Sequence, residues 1–588
     1  MADGLAGIHH IPDEIFVLIF DQPDVPLETL YNASLVSKRL HYFCLPLFLA
    51  RFDISDPSEY AEIIFHDNFG GTALDALDGL RVGLYIHHIK HLVCRFQLPG
   101  EEGDLEVVIR HMKRLYGLVS SLSSIENVSI FYGSEICCCC SGLDIGETLD
   151  EILEEWSRVM GRTLSKMIER GCTAMSLAGG RYMDHTYAFR TGNAKSKKSK
   201  RAAKTKGKST RDQPFSSAFK NLFGKRGSNE DVRLAPDEIN ILNGESWAFC
   251  RAKGTGTSVV LTPLMLGNEE KENSQLKHLT IQSMMVLMPP LLHWTAQTLR
   301  LPSVQSLTLK NLQINRKCWK MMFTVLAGAI PTLSELHLSS LRQIVPGDLL
   351  KFISSFPRLT SLHIGRDVDC IDAYDLGPFP DFPELISLYA PARWVIKLLG
   401  AQRTGLARLE SLAIVYNLRN EGFSHWLRKS SGTPTIPILL KEQDRPLTVS
   451  LEVYLGGNPG WRMREDVECP TADATRALRH GGGGVGRVEC EAERPDVSNV
   501  VSLTLVFDEK LKSGDVKLES VLSRWLALFY GVRHLGVRTV PPKAISEEQA
   551  MGLLNCVWRE GGLAAMSSVE LNGNEVDIDE PDTDTGFH

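Results

Sequence analysis

The chain has 588 residues with 43% hydrophobic side chains, which supports several packed domains and excludes collagen-like, disulfide-scaffold and wholly disordered chains. Its 64 lysines and arginines stand against 71 aspartates and glutamates, a formal net charge of −7. No global basic field draws it to nucleic acid, so nucleic acid is not an expected partner and any basic function is local.

Thirteen cysteines in a chain of this length are an odd number without framework spacing, which fits a reducing compartment. Cytoplasm, nucleus or both are therefore expected. The opening MADGLAGIHHIPDE lacks the basic and apolar regions of a secretory signal, and the greasiest later stretch, Met284 to Trp294, is short and broken by prolines. Neither secretion nor a membrane span is expected.

The first fifty residues predict three short amphipathic helices. Pro12 presets a helical first turn, Asp13 and Glu14 suit its positive end, and Ile11, Ile15, Leu18 and Ile19 recur on one face. Asp24 is expected to cap a second helix carrying Leu27, Leu30, Leu35 and Val36, and Ser37 permits a new start. A third helix with Leu40, Phe43 and Leu47 follows, which Pro46 is expected to end near Leu45.

Ile11-Pro12-Asp13-Glu14-Ile15, then Leu30, then Ser34-Leu35-Val36-Ser37-Lys38-Arg39 together resemble an F-box, with its LPxEI-like opening and SLVSKR-like close. Ile11 stands for the usual Leu and Leu40 where a Trp is common. The resemblance covers about 8–52 and implies that Ile11, Pro12, Ile15, Leu30, Leu35, Val36 and Leu40 bind the adaptor subunit of an SCF-type cullin ligase. Ubiquitin transfer is then the work of other subunits, and this chain supplies proximity without catalysis. The plainer alternative is a helical cap on the domain that follows.

Beyond it a strand pattern LxxLxL recurs at Leu276/Leu279/Ile281, Val304/Leu307/Leu309, Leu333/Leu336/Leu338, Leu359/Leu362/Ile364, Leu385/Leu388/Ala390 and Leu409/Leu412/Ile414, in steps of 28, 29, 26, 26 and 24 residues. Helix-like runs at 318–330, 347–356 and 393–402 separate these strands, the alternation of a parallel sheet with crossover helices. Similar phrases occur at Ile89/Leu92/Cys94, Ile125/Val128/Ile130, Cys172/Met175/Leu177, Val500/Leu503/Leu505, Val532/Leu535/Val537 and Met566/Val569/Leu571. The expected fold is α/β: a three-helix F-box followed by an irregular leucine-rich-repeat-like solenoid. It is irregular because Leu312, Leu341 and Asp367 occupy positions where regular repeats place an Asn.

The expected divisions are 8–52 for the F-box, 80–190 for a first repeat-like segment and 191–235 for a basic disordered insertion. A central solenoid follows at 236–455, then a Gly-rich flexible insertion at 456–499, a C-terminal repeat-like segment at 500–575 and an acidic tail at 576–588. In the basic insertion nine cations from Lys195 to Arg211 have no interleaved aromatics, so a localisation signal or a solvated loop suits them better than single-strand nucleic-acid binding.

Other chemical signatures are weak. Cys137 to Cys140 are consecutive rather than paired as CxxC, and His87, His88 and His91 lack a metal motif's glutamate, so solvent-facing strand histidines and no metal are expected. Gly481 to Gly486 match GxGxxG without the flanking strand and helix. No cofactor is expected. Residues between the apolar strand positions are candidates for an unknown target protein, among them His278, Gln305, Glu335, His337 and His363. An interaction scaffold unconnected to ubiquitin is the competing function.

Overall fold

Alternation at every second residue makes these segments strands, because successive side chains leave a pleated backbone on opposite faces. The structure, a computed structural model, describes residues 11–66, 74–97, 105–137, 147–181, 187–190, 247–251, 258–261, 274–287, 291–314, 316–330, 332–368, 382–401, 406, 408–417, 439, 448–454, 500–507, 531–539, 567–571 and 574–576. The chain divides into two compact units, 1–276 with 283–301, and 277–282 with 302–588.

The first unit opens with α1 (Asp13–Phe20), α2 (Leu27–Val36) and α3 (Lys38–Ala50). Ser37 starts α3 as expected, its side chain accepting from the Leu40 N–H at 3.2 Å. Two expectations need correction. Asp24 does not cap α2; Pro26 occupies the N-cap in an extended conformation, and its carbonyl takes the first helical N–H groups. Pro46 does not end α3, which runs through it to Ala50. An internal proline costs about 3 kcal/mol, and the fully buried Leu45, Phe48 and Leu49 around it offset that at about 1.5–3 kcal/mol each.

Next come β1 (Tyr60–His66), α4 (Ala76–Val82), β2 (His88–Gln97), α5 (Leu105–Ser121), β3 (Ser124–Cys137), α6 (Glu147–Glu169) and β4 (Ala174–Arg181). The strands form a parallel sheet in the order β1-β2-β3-β4. The apolar positions align across it, Ala61 with Leu92, Val128 and Met175, and Ile63 with Cys94, Ile130 and Leu177. Strand β1 lies ahead of the 80–190 segment expected to hold the first repeats. Phe65, Phe96 and Tyr132 stack along the next inward row, with ring centroids 4.6 and 5.2 Å apart, and the Tyr132 hydroxyl donates to Met160 Sδ of α6 at 2.8 Å.

Asp75 and Asp78 form a capping box at the start of α4. Arg114 of α5 forks onto both carboxylates at 2.7–2.8 Å, tying the two helices at their ends. A small antiparallel sheet, β5 (Tyr187–Arg190), β6 (Trp247–Arg251) and β7 (Ser258–Leu261), lies in sequence on either side of the basic insertion. Helices α7 (Met284–Leu287) and α8 (Leu292–Leu299) also belong to this unit, and Trp294 donates to Ser165 of α6 at 3.1 Å.

The second unit carries β8 (His278–Gln282), β9 (Ser306–Lys310), α9 (Arg316–Ala329), β10 (Glu335–Ser339), α10 (Pro346–Ser354), β11 (Ser361–Ile364), β12 (Ser387–Pro391), α11 (Ala392–Ala401), β13 (Ser411–Asn417), β14 (Thr448–Tyr454), β15 (Ser502–Phe507), β16 (His534–Thr539), β17 (Ser568–Leu571) and β18 (Asn574–Val576). Its strands lie side by side in chain order, parallel throughout except for the final β17–β18 hairpin. The expected leucine phrases fall into register: Leu279, Leu307, Leu336, Leu362, Leu388, Leu412 and Val449 form one inward row. Leu503, Leu535 and Val569 form a further stretch of such a row.

The helices expected at 318–330, 347–356 and 393–402 are α9, α10 and α11. Trp319 and Phe323 of α9 stack toward Phe352 of α10, with successive centroids 4.9 and 4.6 Å apart. After β9 and β10, Asn311 and Ser340 take left-handed φ values of 55° and 51°. The buried Leu312 and Leu341 follow them, so apolar side chains fill the turn where regular repeats place an Asn.

Cys138 to Cys140, the basic run, the GxGxxG match and the acidic tail beyond Val576 lie outside the described residues. Cys44, Cys94 and Cys172 are free and buried. Burial pushes their thiols up, to about 11 for Cys44 and about 12 for Cys172, away from the reactive thiolate. Iodoacetamide at mildly alkaline pH should leave these three unlabelled in the native chain and label them fully in guanidinium. Native labelling, read by peptide mass mapping, would contradict their burial.

Candidate functional site

In the first unit the candidate surface is built by α1, α2 and α3. Phe16, Leu40 and Cys44 form their small core, with Ile11, Phe20, Ala33 and Phe43 packed against it. Arg39 braces α1 from above: it donates to Asp13 and to the Ile11 carbonyl, and its guanidinium lies 5.0 Å over the Phe16 ring. With Phe16 turned inward and Phe20 packed against the same core, α1 leaves Ile15, Val17, Leu18 and Ile19 exposed. Ile15, Leu18 and Ile19 lie three and four residues apart and form an exposed ridge, with Leu18 at 62%.

The residues expected to meet a partner therefore separate. Ile15, Leu35 and Val36 are exposed, Val36 at 72%, and Pro12 is exposed beside them. Ile11 is half-buried against the chain's own core. Leu30 and Leu40 are buried, Leu30 completely and Leu40 at 8%, which corrects the expectation that they are displayed. They sit on the inner sides of α2 and α3, where the small helical unit needs its core. Leu18, Ile19 and Tyr42 belong to the exposed surface instead.

This surface is held in place from behind. His41, buried, lies with Nδ1 3.0 Å from the Ser34 carbonyl, and its Nε2 accepts from the Leu84 N–H at 3.1 Å. A carbonyl can only accept and an N–H can only donate, so the ring is the neutral Nδ1-protonated tautomer. Helix α4 approaches α3 so closely that a Cβ on Gly79 would come within 2.6 Å of the Phe48 ring. The three helices are thus fixed to α4 and to the loop that enters β2.

The second candidate surface is the outward side of the sheet in the second unit. Thr308, His337, His363, Tyr389, Ala413 and Ser450 share one register row. His337 and His363 have ring centroids 4.3 Å apart, and His363 stacks on Tyr389 at 3.7 Å with 8° between planes. Burial among the neighbouring rings lowers the pKa of His337, and burial followed by the charge of His337 lowers that of His363 to about 4. At neutral pH His363 is uncharged. The Tyr389 hydroxyl donates to the Glu452 carboxylate across β13.

Of the expected target-facing residues, the sheet brings together His337 and His363, with Glu335 at the exposed start of β10 close enough to His337 to act on its charge. His278 is exposed two strands away, in the row of Ser306 and Glu335. Gln305 is exposed just ahead of β9, and its backbone carbonyl accepts from the Ser334 and Glu335 N–H groups. Tyr389 and Glu452 were not anticipated, since 63 residues separate them in sequence.

Among the histidines at the start of β2, His87 and His91 are exposed as expected, and His88 Nδ1 lies 2.7 Å from Ser124 Oγ. No group of three or more metal-ligating side chains occurs among the described residues, and no helix among them is long and apolar enough to cross a membrane. No protein-family model matches this chain, and no curated protein matches it significantly.

Proposed function

We propose that this chain is a non-catalytic substrate receptor of an SCF-type ubiquitin ligase. Its N-terminal helices are an F-box that docks on the ligase adaptor, and its strands form an irregular leucine-rich-repeat-like solenoid whose outward face holds a target protein. The observation that carries this is the exposed ridge of Ile15, Leu18 and Ile19 beside Leu35 and Val36. A soluble monomer seldom leaves such a patch uncovered, and each of these side chains gains about 1 kcal/mol or more when a partner covers it.

In this role the chain raises the effective concentration of a target's lysines near a charged conjugating enzyme, so no nucleophile or base is required of it. A second reading draws on the tie between α3 and α4 through Gly79 and His41. It makes the helices a cap on the first strands of an interaction scaffold unrelated to ubiquitin.

The two separate in one experiment. Ile15→Lys, Leu18→Lys and Leu35→Lys combined change only exposed side chains, so the fold and its melting transition should persist while co-purification of the adaptor is lost. Recovery of the adaptor at the level of the unsubstituted chain would leave the scaffold.

A further inference from the structure

We infer that α4 is a proton-sensitive strap: a neutral histidine fixes each of its ends, and acid frees both ends together. The strap joins α1, α2 and α3 to the sheet whether those helices dock on an adaptor or cap a scaffold.

At its N-terminal end α4 is held by Arg114, which donates to Asp75, to Asp78 and, at 3.2 Å, to Nδ1 of His111. A guanidinium only donates, so Nδ1 keeps its lone pair and the ring is neutral. The His66 backbone at the end of β1 supplies the ring's other hydrogen bond, and the Phe65 ring lies against it at 4.9 Å. The charges facing this imidazole are Arg114 and Arg110 of its own helix and Asp75 at the start of α4. Burial first, then the Arg114 charge, lowers the His111 pKa. A proton added at Nδ1 ends the bond from Arg114 and sets two cations side by side.

At the other end the Leu84 N–H, just past α4, donates to Nε2 of the buried His41 at 3.1 Å, while Nδ1 is tied to the Ser34 carbonyl of α2. Tyr42 on the same helix and Tyr85 beside Leu84 face this ring, each at 6.0 Å. Among the described residues no carboxylate pairs with it. A proton added at Nε2 therefore meets the Leu84 N–H, donor against donor. Leu77 and Leu80 keep the middle of α4 buried, so acid frees its ends without unfolding the unit. Because the native ring is neutral, the support His111 gives is complete above the ordinary histidine value of 6.5 and is lost as the pH falls through its own lowered one.

The test is amide hydrogen exchange of the full chain, corrected for intrinsic rates and read by mass spectrometry. The segment from α4 to Leu84 should open about fivefold more often at about pH 5.5 than at about pH 7.5, as the loss of one hydrogen bond makes it do, while the interior of α5 holds. Imidazole C2 hydrogen exchange in the same chain should show His41 and His111 taking up protons over that range. His41→Gln combined with His111→Gln keeps an acceptor for Leu84 and Arg114 and a donor for the carbonyl groups but binds no proton, so the pH response should vanish. Should that variant lack protection already at neutral pH, the two rings of the unsubstituted chain still decide. Equal acceleration of α4 and α5, proton uptake by both rings with α4 still protected, or a pH response that persists in a folded double variant would each overturn the inference. Adaptor capture enters none of these readouts, so the ligase proposal stands or falls apart from them.

Discussion

Gly179→Ala is expected to lower the stability of the first unit by about 3–5 kcal/mol, at the damaging end of single substitutions. Gly179 has φ +78°, and a Cβ placed there would come 1.8 Å from the Tyr132 carbonyl oxygen. Tyr132 pairs with Gly179 at the end of a continuous β3–β4 ladder that starts at Asn127 and Ala174, so the neighbouring backbone is held by that ladder and cannot step aside cheaply. Alanine therefore faces a left-handed backbone and a main-chain collision together. Gly117→Ala supplies the opposite sign. It lies inside α5, its added methyl would meet Arg81 at an ordinary 3.6 Å, and the helix should gain about 0.5–1 kcal/mol. Thermal melts of both variants decide the matter: a Gly179→Ala midpoint close to that of the parent chain would show that the β3–β4 junction yields.

How much of this was legible in the sequence depends on how local the determinant is. The strands of the second unit were legible because a period of two repeated at a nearly constant interval fixes both face and neighbour, and Leu307, Leu336 and Leu362 indeed stand in register. Strand β1 escaped because the polar Ser58 stands where the other phrases place their leading apolar residue and the small Ala61 where they place a larger apolar side chain. Pro46 misled because local backbone preference was outweighed by burial of Phe48 and Leu49, which only the folded chain shows.

The candidate sites divide along the same line. His337 and His363 could be placed from strand parity alone, whereas Tyr389 and Glu452 join them through a contact across 63 residues. On α1, apolar residues occupy nearly the whole circumference, so periodicity could not say which side faces inward. Phe16 took the inner position because it meets Phe43, 6.3 Å away, and the Arg39 guanidinium.

The exchange of inner and outer positions leads to the other large effect. Leu40→Ala should cost about 2–4 kcal/mol, because a buried leucine loses both its transfer energy and the contacts around the cavity it leaves. Leu40 shares its small core with the buried Phe16 and Cys44, and a helical unit of about forty residues has little stability to spare. The loss should appear as faster amide hydrogen exchange across α1, α2 and α3, spreading to the loop after α4 through the His41 to Leu84 bond. Leu35→Ala, five residues earlier and 55% exposed, should change exchange by less than about 0.5 kcal/mol while still weakening a partner's hold. If instead Leu40→Ala left the exchange of these helices untouched, the inward side of α3 would not be what joins them. The exposed ridge on α1 would then have no fixed base from which to meet another protein.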